Sequence, residues 1–174
     1  LRDAWRIPDL RKKMLYTLLM LVVFRIGSFV PVPGVDKEAF SRLFQTGTGS
    51  LFDIMNMFSG GAFENATIFA MSITPYVNAS IIMQLLTVAI PALERLAKEG
   101  EEGRKKINEF TRYGAIILGF ITAAGFYVTL YTNDAIKNPG VLSFITITFA
   151  FTAGTSFLMW LGEEITNKGI GNGI

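Results

Sequence analysis

An uncharged run from Asn65 to Leu93 constrains the fold more than any other stretch of the chain. It contains 29 residues without an Asp, Glu, Lys or Arg. At about 1.5 Å per residue it would form a helix about 43 Å long, which exceeds the roughly 30 Å of hydrocarbon in a bilayer. The run therefore predicts a membrane-spanning helix and an integral membrane protein.

Polar side chains inside this run indicate that it does not simply face lipid. On a helical wheel Ile73 and Val77 share one face, which also carries Ser80 and Gln84 nearer to Glu94. Such a face is expected for one wall of an aqueous funnel that narrows to an apolar constriction. Ordinary helix packing is the alternative, because membrane helices use Ser, Thr and Asn at protein contacts.

Composition removes several classes of chemistry. The chain has no histidine and no cysteine, so imidazole catalysis, thiol nucleophiles, disulfides and the usual zinc ligands are excluded. Carboxylates remain, but they lie outside the apolar blocks. We therefore expect no catalytic residue, no metal site and no cofactor.

Apolar and charged blocks alternate along the chain and predict four spans. The predicted segments are a cytoplasmic interfacial segment (1–13), a first span (14–30), an external loop (31–50), a short helix (51–65), a second span (66–93), a charged cytoplasmic loop (94–112), a third span (113–131), an external turn (132–140), a fourth span (141–161) and the start of a cytoplasmic link (162–174). Ser50 and Asp53 have the spacing of a capping box, and Gly60-Gly61 should end the short helix. A helix of that length must re-enter the membrane or lie at its surface.

The distribution of Lys and Arg predicts the orientation. Five precede the first span and six lie between the second and third spans, whereas the outer loops carry only Lys37, Arg42 and Lys137. The amino terminus is therefore expected in the cytoplasm. Arg25, near the end of the first span, is expected to snorkel to the interface.

Two functional classes fit these residues. The first is a channel whose constriction includes Ile73 and Val77, and the second is a transporter built around a discontinuous helix. A coupled transporter usually has an acidic residue within the membrane or a second broken helix, and the chain shows neither. This absence favours the channel, although a missing second half could supply both features.

Six motifs carry a resemblance to a known family. They are FRIGSFVPVPG (24–34), NMFSGG (56–61), TPYVNASII (74–82), EGEEGRK (99–105), TRYG (111–114) and WLGEEITNKGIGNG (160–173). In this order they resemble SecY, the central subunit of the bacterial protein-conducting channel, across the whole chain. The resemblance implies an all-α integral membrane protein, a bundle of ten helices in two halves that form a clamshell. This chain would supply the first four helices and a short re-entrant plug helix.

The resemblance also assigns functional positions. It implies a plug that seals the channel from outside and an apolar pore ring that includes Ile73 and Val77. Asn78 and Ile81 resemble lateral-gate positions, whose partners in the third span remain open. The plug positions are Leu51, Phe52, Ile54, Met55, Phe58, Ser59, Gly60 and Gly61. The loop 94–112 carries a basic cluster, Arg104-Lys105-Lys106, for which a topogenic role is favoured over binding to RNA or anionic lipid.

Partners and location follow from the same resemblance. The implied function is non-enzymatic passage of unfolded secretory proteins across the bacterial plasma membrane and lateral release of membrane proteins into it. The implied partners are SecE and SecG, the SecA motor ATPase, the ribosome, signal peptides and nascent polypeptides, and membrane lipids. The start at Leu1 and the glycine-rich end at 169–174 predict a fragment that would not function alone.

Overall fold

Helices dominate the part of the protein that its computed structural model describes, which comprises residues 8–46, 57, 59–62 and 65–173. Two isolated β-bridges, Pro31 to Thr67 and Val35 to Ile136, are the only β pairing there. The predicted all-α fold is confirmed. The helices are α1 (Pro8–Gly27), α2 (Lys37–Thr46), α3 (Thr74–Ala89), α4 (Pro91–Lys98), α5 (Glu101–Thr132) and α6 (Val141–Lys168).

Two helices in the described ranges, α5 and α6, are long and apolar enough to cross a membrane. The pair α3 and α4 passes the same test jointly, but its axis bends by 101° at the break. Helix α1 has 20 residues, yet only 11 residues separate Lys13 from Arg25. Arg11, Lys12, Lys13 and Arg25 leave α1 with only a short uncharged stretch, so the four-span arrangement stays a prediction.

The expectation of one continuous helix from Asn65 to Leu93 is wrong. Residues 65–73 form turns, and α3 begins only at Thr74. Pro75 lies in the first turn of α3, where its missing N–H leaves no hydrogen bond unmade. The helix ends before Ile90, which is extended because it precedes Pro91.

The turn segment 65–73 finds its backbone partners in the loop that follows α1. The Val32 N–H donates to the Ala66 carbonyl at 3.0 Å, and the Ile68 N–H donates to the Val30 carbonyl at 3.1 Å. On its other side the segment lies against α6, where a Cβ on Gly154 would overlap the Ile68 carbonyl oxygen. These contacts replace the hydrogen bonds that a helix would have made within itself.

The loop predicted at 94–112 is also mostly helical. It comprises the end of α4, a turn at Gly100 with φ of +84°, and the first turns of α5. A Cβ on Gly103 would overlap the Leu96 carbonyl oxygen, so glycine permits this tight helical hairpin. The predicted polar connection is therefore present as an ordered element.

The bundle has two distinct ends. The starts of α1 and α5, helix α4 and the end of α6 meet at the charged end. The loop end contains residues 28–46, 59–62, 65–73 and 133–140. The largest apolar cluster lies there, with Val32, Phe40, Leu130, Ile147 and Phe151 all buried.

Candidate functional site

An apolar junction near the loop end brings together four parts of the chain. We define the junction by Phe24 of α1, Ala62, Phe69, Ile73 and Leu158 of α6. Ala62, Phe69 and Leu158 are buried, with 0%, 2% and 4% of their surface exposed. The junction therefore joins the Gly60-Gly61 turn to the start of α3.

Phe69 is the centre of the junction. Its ring stacks on Phe24 at 5.8 Å between centroids and on Phe157 at 5.9 Å. A Cβ on Gly27 would overlap the Phe69 ring, so glycine allows α1 to approach it this closely. The three stacked rings connect α1, the segment 65–73 and α6.

The two residues predicted for the pore ring lie one helical turn apart at the start of α3. Ile73 is half-buried in the junction, and its carbonyl accepts the N–H of Val77 at 3.1 Å. Val77 leaves 38% of its surface exposed. Ile73 thus belongs to the same apolar cluster as Ala62, and Val77 follows one turn later, while the role of the pair in a pore stays a prediction.

The turn at 59–62 is shaped by two glycines with left-handed backbone, Gly60 at φ +62° and Gly61 at φ +83°. Ser59 is buried, and its carbonyl accepts the Ala62 N–H at 3.2 Å. Gly60 and Gly61 thus form a turn, while the prediction that they end a short helix stays a prediction. The remaining predicted plug residues, Leu51, Phe52, Ile54, Met55 and Phe58, lie outside the described residues.

Arg25 contacts this turn. Its Nη1 donates to the Gly60 carbonyl oxygen at 3.0 Å, and its guanidinium lies 5.0 Å from the centroid of the Phe29 ring. The expectation of simple snorkelling did not include a protein partner. Residues 25 and 60 belong to two separate motifs of the sequence, and spacing alone gave no sign that they meet.

The two predicted lateral-gate residues lie on the open side of α3. Asn78 and Ile81 are exposed, whereas Pro75 and Ala79 are buried on the opposite side. That buried side approaches Gly119 and Gly114 of α5, where an added Cβ would lie 3.8 Å from Pro75 and 3.9 Å from Ala79. Small residues thus let the two helices pack closely, as the glycines of the third span predicted.

The charged end contains a polar cavity of about 330 Å³. It is lined by Tyr76, Ser80, Asn108, Arg112, Glu163, Thr166, Asn167 and Asn172. Arg112 donates to the Glu163 carboxylate at 2.7 Å and so links α5 to α6. The predicted basic cluster, Arg104-Lys105-Lys106, is exposed on the first turns of α5 and does not line this cavity.

Glu164 links α1 to α6 beyond the apolar part of α6. It accepts hydrogen bonds from the Tyr16 hydroxyl at 2.6 Å and from the Lys168 ammonium at 2.8 Å. These donors favour the ionised form, Lys168 most strongly, so they lower the pKa of the Glu164 carboxyl. Sequence reasoning did not find this link or the one between Arg112 and Glu163.

Comparison with known proteins identifies the family. The family model described as SecY matches residues 67–174, which is more than half of the chain. The chain belongs to the SecY family. The match begins at Thr67, inside the turn segment 65–73, and includes both predicted pore-ring positions, Ile73 and Val77.

Curated SecY relatives match nearly all of the chain. The protein translocase subunit SecY of Halalkalibacterium halodurans is 51% identical over 175 residues, covering 99% of this chain and 40% of that protein. The SecY subunit of Escherichia coli K12 is 45% identical, covering 95% and 38% respectively. The chain therefore spans about two fifths of the length of these relatives. Together with its apolar helices, the relationship identifies a multi-pass membrane protein.

Solved structures share the fold. Sec61 in the canine ribosome-channel complex from the endoplasmic reticulum aligns with a TM-score of 0.63 at 20% identity, over 98% of this chain and 38% of that one. A SecY structure whose plug domain is described as stabilising the closed state and maintaining a membrane seal aligns with a TM-score of 0.62 at 21% identity, over 99% and 37%.

Proposed function

We propose that this chain is the amino-terminal part of a channel subunit through which unfolded polypeptides cross the bacterial plasma membrane and enter it laterally. Membership of the SecY family is the observation that carries the proposal. The complete subunit would assemble with SecE and SecG, and would receive chains with signal peptides from SecA or the ribosome. Its amino terminus would lie in the cytoplasm.

The arrangement at the junction supports a pore at the start of α3. Ala62 lies near the end of the predicted plug helix 51–65 and shares an apolar cluster with Ile73. Val77 continues the same face and leaves 38% of its surface exposed. A ring of bulky apolar side chains excludes ions by dewetting, yet it can yield around a polypeptide of any sequence, so no catalytic residue is required.

Crosslinking at Val77 tests this proposal. Since the chain lacks cysteine, Val77→Cys would be placed in the full-length subunit with any other cysteines removed. The channel would then be jammed with a secretory chain that carries one cysteine. We expect a disulfide only when the secretory chain is engaged, because Val77 would then line its path.

The matched control is Ile117→Cys on α5, which is also apolar and exposed. It should give no crosslink, since it would face lipid. Crosslinking at Ile117 but not at Val77, or at neither position, would return Val77 to a packing role and favour the transporter alternative.

A further inference from the structure

The contact between Arg25 and Gly60 gives a charged residue a defined partner beside the predicted plug. Arg25 lies in the last turn of α1, at the end of an apolar stretch that begins after Lys13. Its hydrogen bond to the Gly60 carbonyl is a direct polar link between α1 and the turn 59–62. The turn contains Ser59, Gly60 and Gly61, which are the predicted plug residues that the structure describes.

The direction of the Gly60 carbonyl is set by the turn itself. Gly60 has φ of +62°, a conformation that side chains with a Cβ rarely adopt. The Gly60 N–H donates to the Met57 carbonyl at 3.2 Å, while the Gly60 carbonyl accepts from Arg25. Both backbone polar groups of Gly60 therefore have partners, and the partner of its carbonyl belongs to α1.

We infer that Arg25 is a positioning residue that holds the turn 59–62, the described end of the predicted plug, against α1 and so helps to keep the channel sealed. The inference rests on the proposed function, because a plug has meaning only in a channel. Phe24 supports the same contact, since a Cβ on Gly60 would lie 3.7 Å from its ring. Phe24 thus supplies an apolar contact to the turn, and the next residue, Arg25, supplies the hydrogen bond.

Arginine suits this position better than lysine. Its planar guanidinium can lie over the Phe29 ring and donate to a carbonyl at the same time. A lysine ammonium is a compact, strongly hydrated charge without the planar fork. We therefore expect Arg25→Lys to retain part of the effect and Arg25→Met to lose it.

The test measures ion leakage through the full-length subunit, assembled with its partner subunits, in planar bilayers. Arg25→Met should raise the leak about tenfold, the factor expected when a hydrogen bond from a charged donor is lost. Insertion should not suffer, because Met removes a charge from an apolar helix. Arg11→Met, which removes an exposed cation from the other end of α1, is the matched control and should leave the channel tight.

A second measurement reports the turn directly. Ser59 is 2% exposed, and Ser59→Cys introduces a thiol of similar size. An impermeant maleimide should label this cysteine slowly in the parent channel and about tenfold faster in the Arg25→Met background, because the same hydrogen bond is lost. A merely structural defect in the bundle would not expose Ser59 selectively.

Ile73→Gly with Val77→Gly serves as the reference for leakage, since it should widen the constriction itself. If this reference leaks while Arg25→Met stays tight and Ser59→Cys stays protected, the role of Arg25 is refuted. The proposed channel function is then still supported. If neither variant leaks, both the role of Arg25 and the proposed constriction at Ile73 and Val77 are refuted.

Discussion

Gly154 sets how closely α6 can approach the turn segment 65–73. A Cβ at this position would overlap the Ile68 carbonyl oxygen, which is backbone and cannot rotate away. The Ile68 N–H is at the same time bonded to Val30. The absence of a side chain at Gly154 therefore allows α6, the segment 65–73 and the loop after α1 to meet.

We expect Gly154→Ala to destabilise the protein by about 1–3 kcal/mol, the usual cost of forcing an extra group into a packed interior. The melting temperature of the purified full-length protein in detergent should fall by several degrees. Gly125→Ala on α5 is the control, because nothing lies within 4 Å of a Cβ there. Equal melting temperatures for the two variants would contradict the close approach.

At the scale of elements, proline divides the apolar run into pieces with different directions. Pro75 begins α3 and Pro91 begins α4, and the axis bends by 101° between these helices. The N–H missing at Pro91 and the extended backbone of Ile90 prevent the helix from continuing. The bend directs α4 across the charged end of the bundle.

Pro91→Ala should straighten the bend, because it restores an N–H donor and removes the constraint on Ile90. Spin labels on Leu85 and Lys98, both exposed, would report the change. Their backbone separation should rise toward about 20 Å, the rise of 13 residues in a straight helix. Pro139→Ala, which removes a proline from a distant turn, should leave the distance unchanged, and an unchanged distance in Pro91→Ala would refute a proline-determined bend.

Hydropathy predicted the apolar blocks. The prediction of one helix from Asn65 to Leu93 overlooked that Pro75 and Pro91 mark the starts of two separate helices. The all-α fold, α5, α6 and the turn at Gly60-Gly61 could all be predicted from local pattern. The irregular backbone at 65–73 could not, because its partners Val30 and Val32 lie more than 30 residues away. The contact of Arg25 with Gly60 could not be predicted for the same reason, because a local sequence pattern does not show which distant residues meet in the fold.

For the whole molecule, the charged end ties α1 to the rest of the bundle. Tyr16 donates to Glu164, and the Ile170 N–H donates to the Thr17 hydroxyl at 3.1 Å. Met20 is buried against Leu161 and Ile165 of α6. The attachment of α1 thus combines apolar packing with a carboxylate that has two donors.

Stability of the bundle should therefore depend on the ionisation of Glu164. Because its pKa is lowered from the ordinary 4.5 in the folded protein, its stabilising effect is present at higher pH and is lost as pH falls through the folded pKa. Glu164→Gln should lower the melting temperature near neutral pH, and the difference from the parent should vanish in acid. Glu109→Gln, a change at an exposed position of α5, should match the parent at both pH values; a deficit of Glu164→Gln that persists in acid would contradict the link.

The pairing of segment 65–73 with the loop after α1 also affects how the protein can fold while it is being synthesised. Synthesis runs from the amino terminus, so Val30 and Val32 leave the ribosome before Ala66 and Ile68 need them. A stretch whose backbone needs partners elsewhere in the chain thus finds Val30 and Val32 already in place when it emerges. These hydrogen bonds can form before α5 and α6 are made, whereas the packing of Phe69 against Phe157 and Leu158 has to wait for α6.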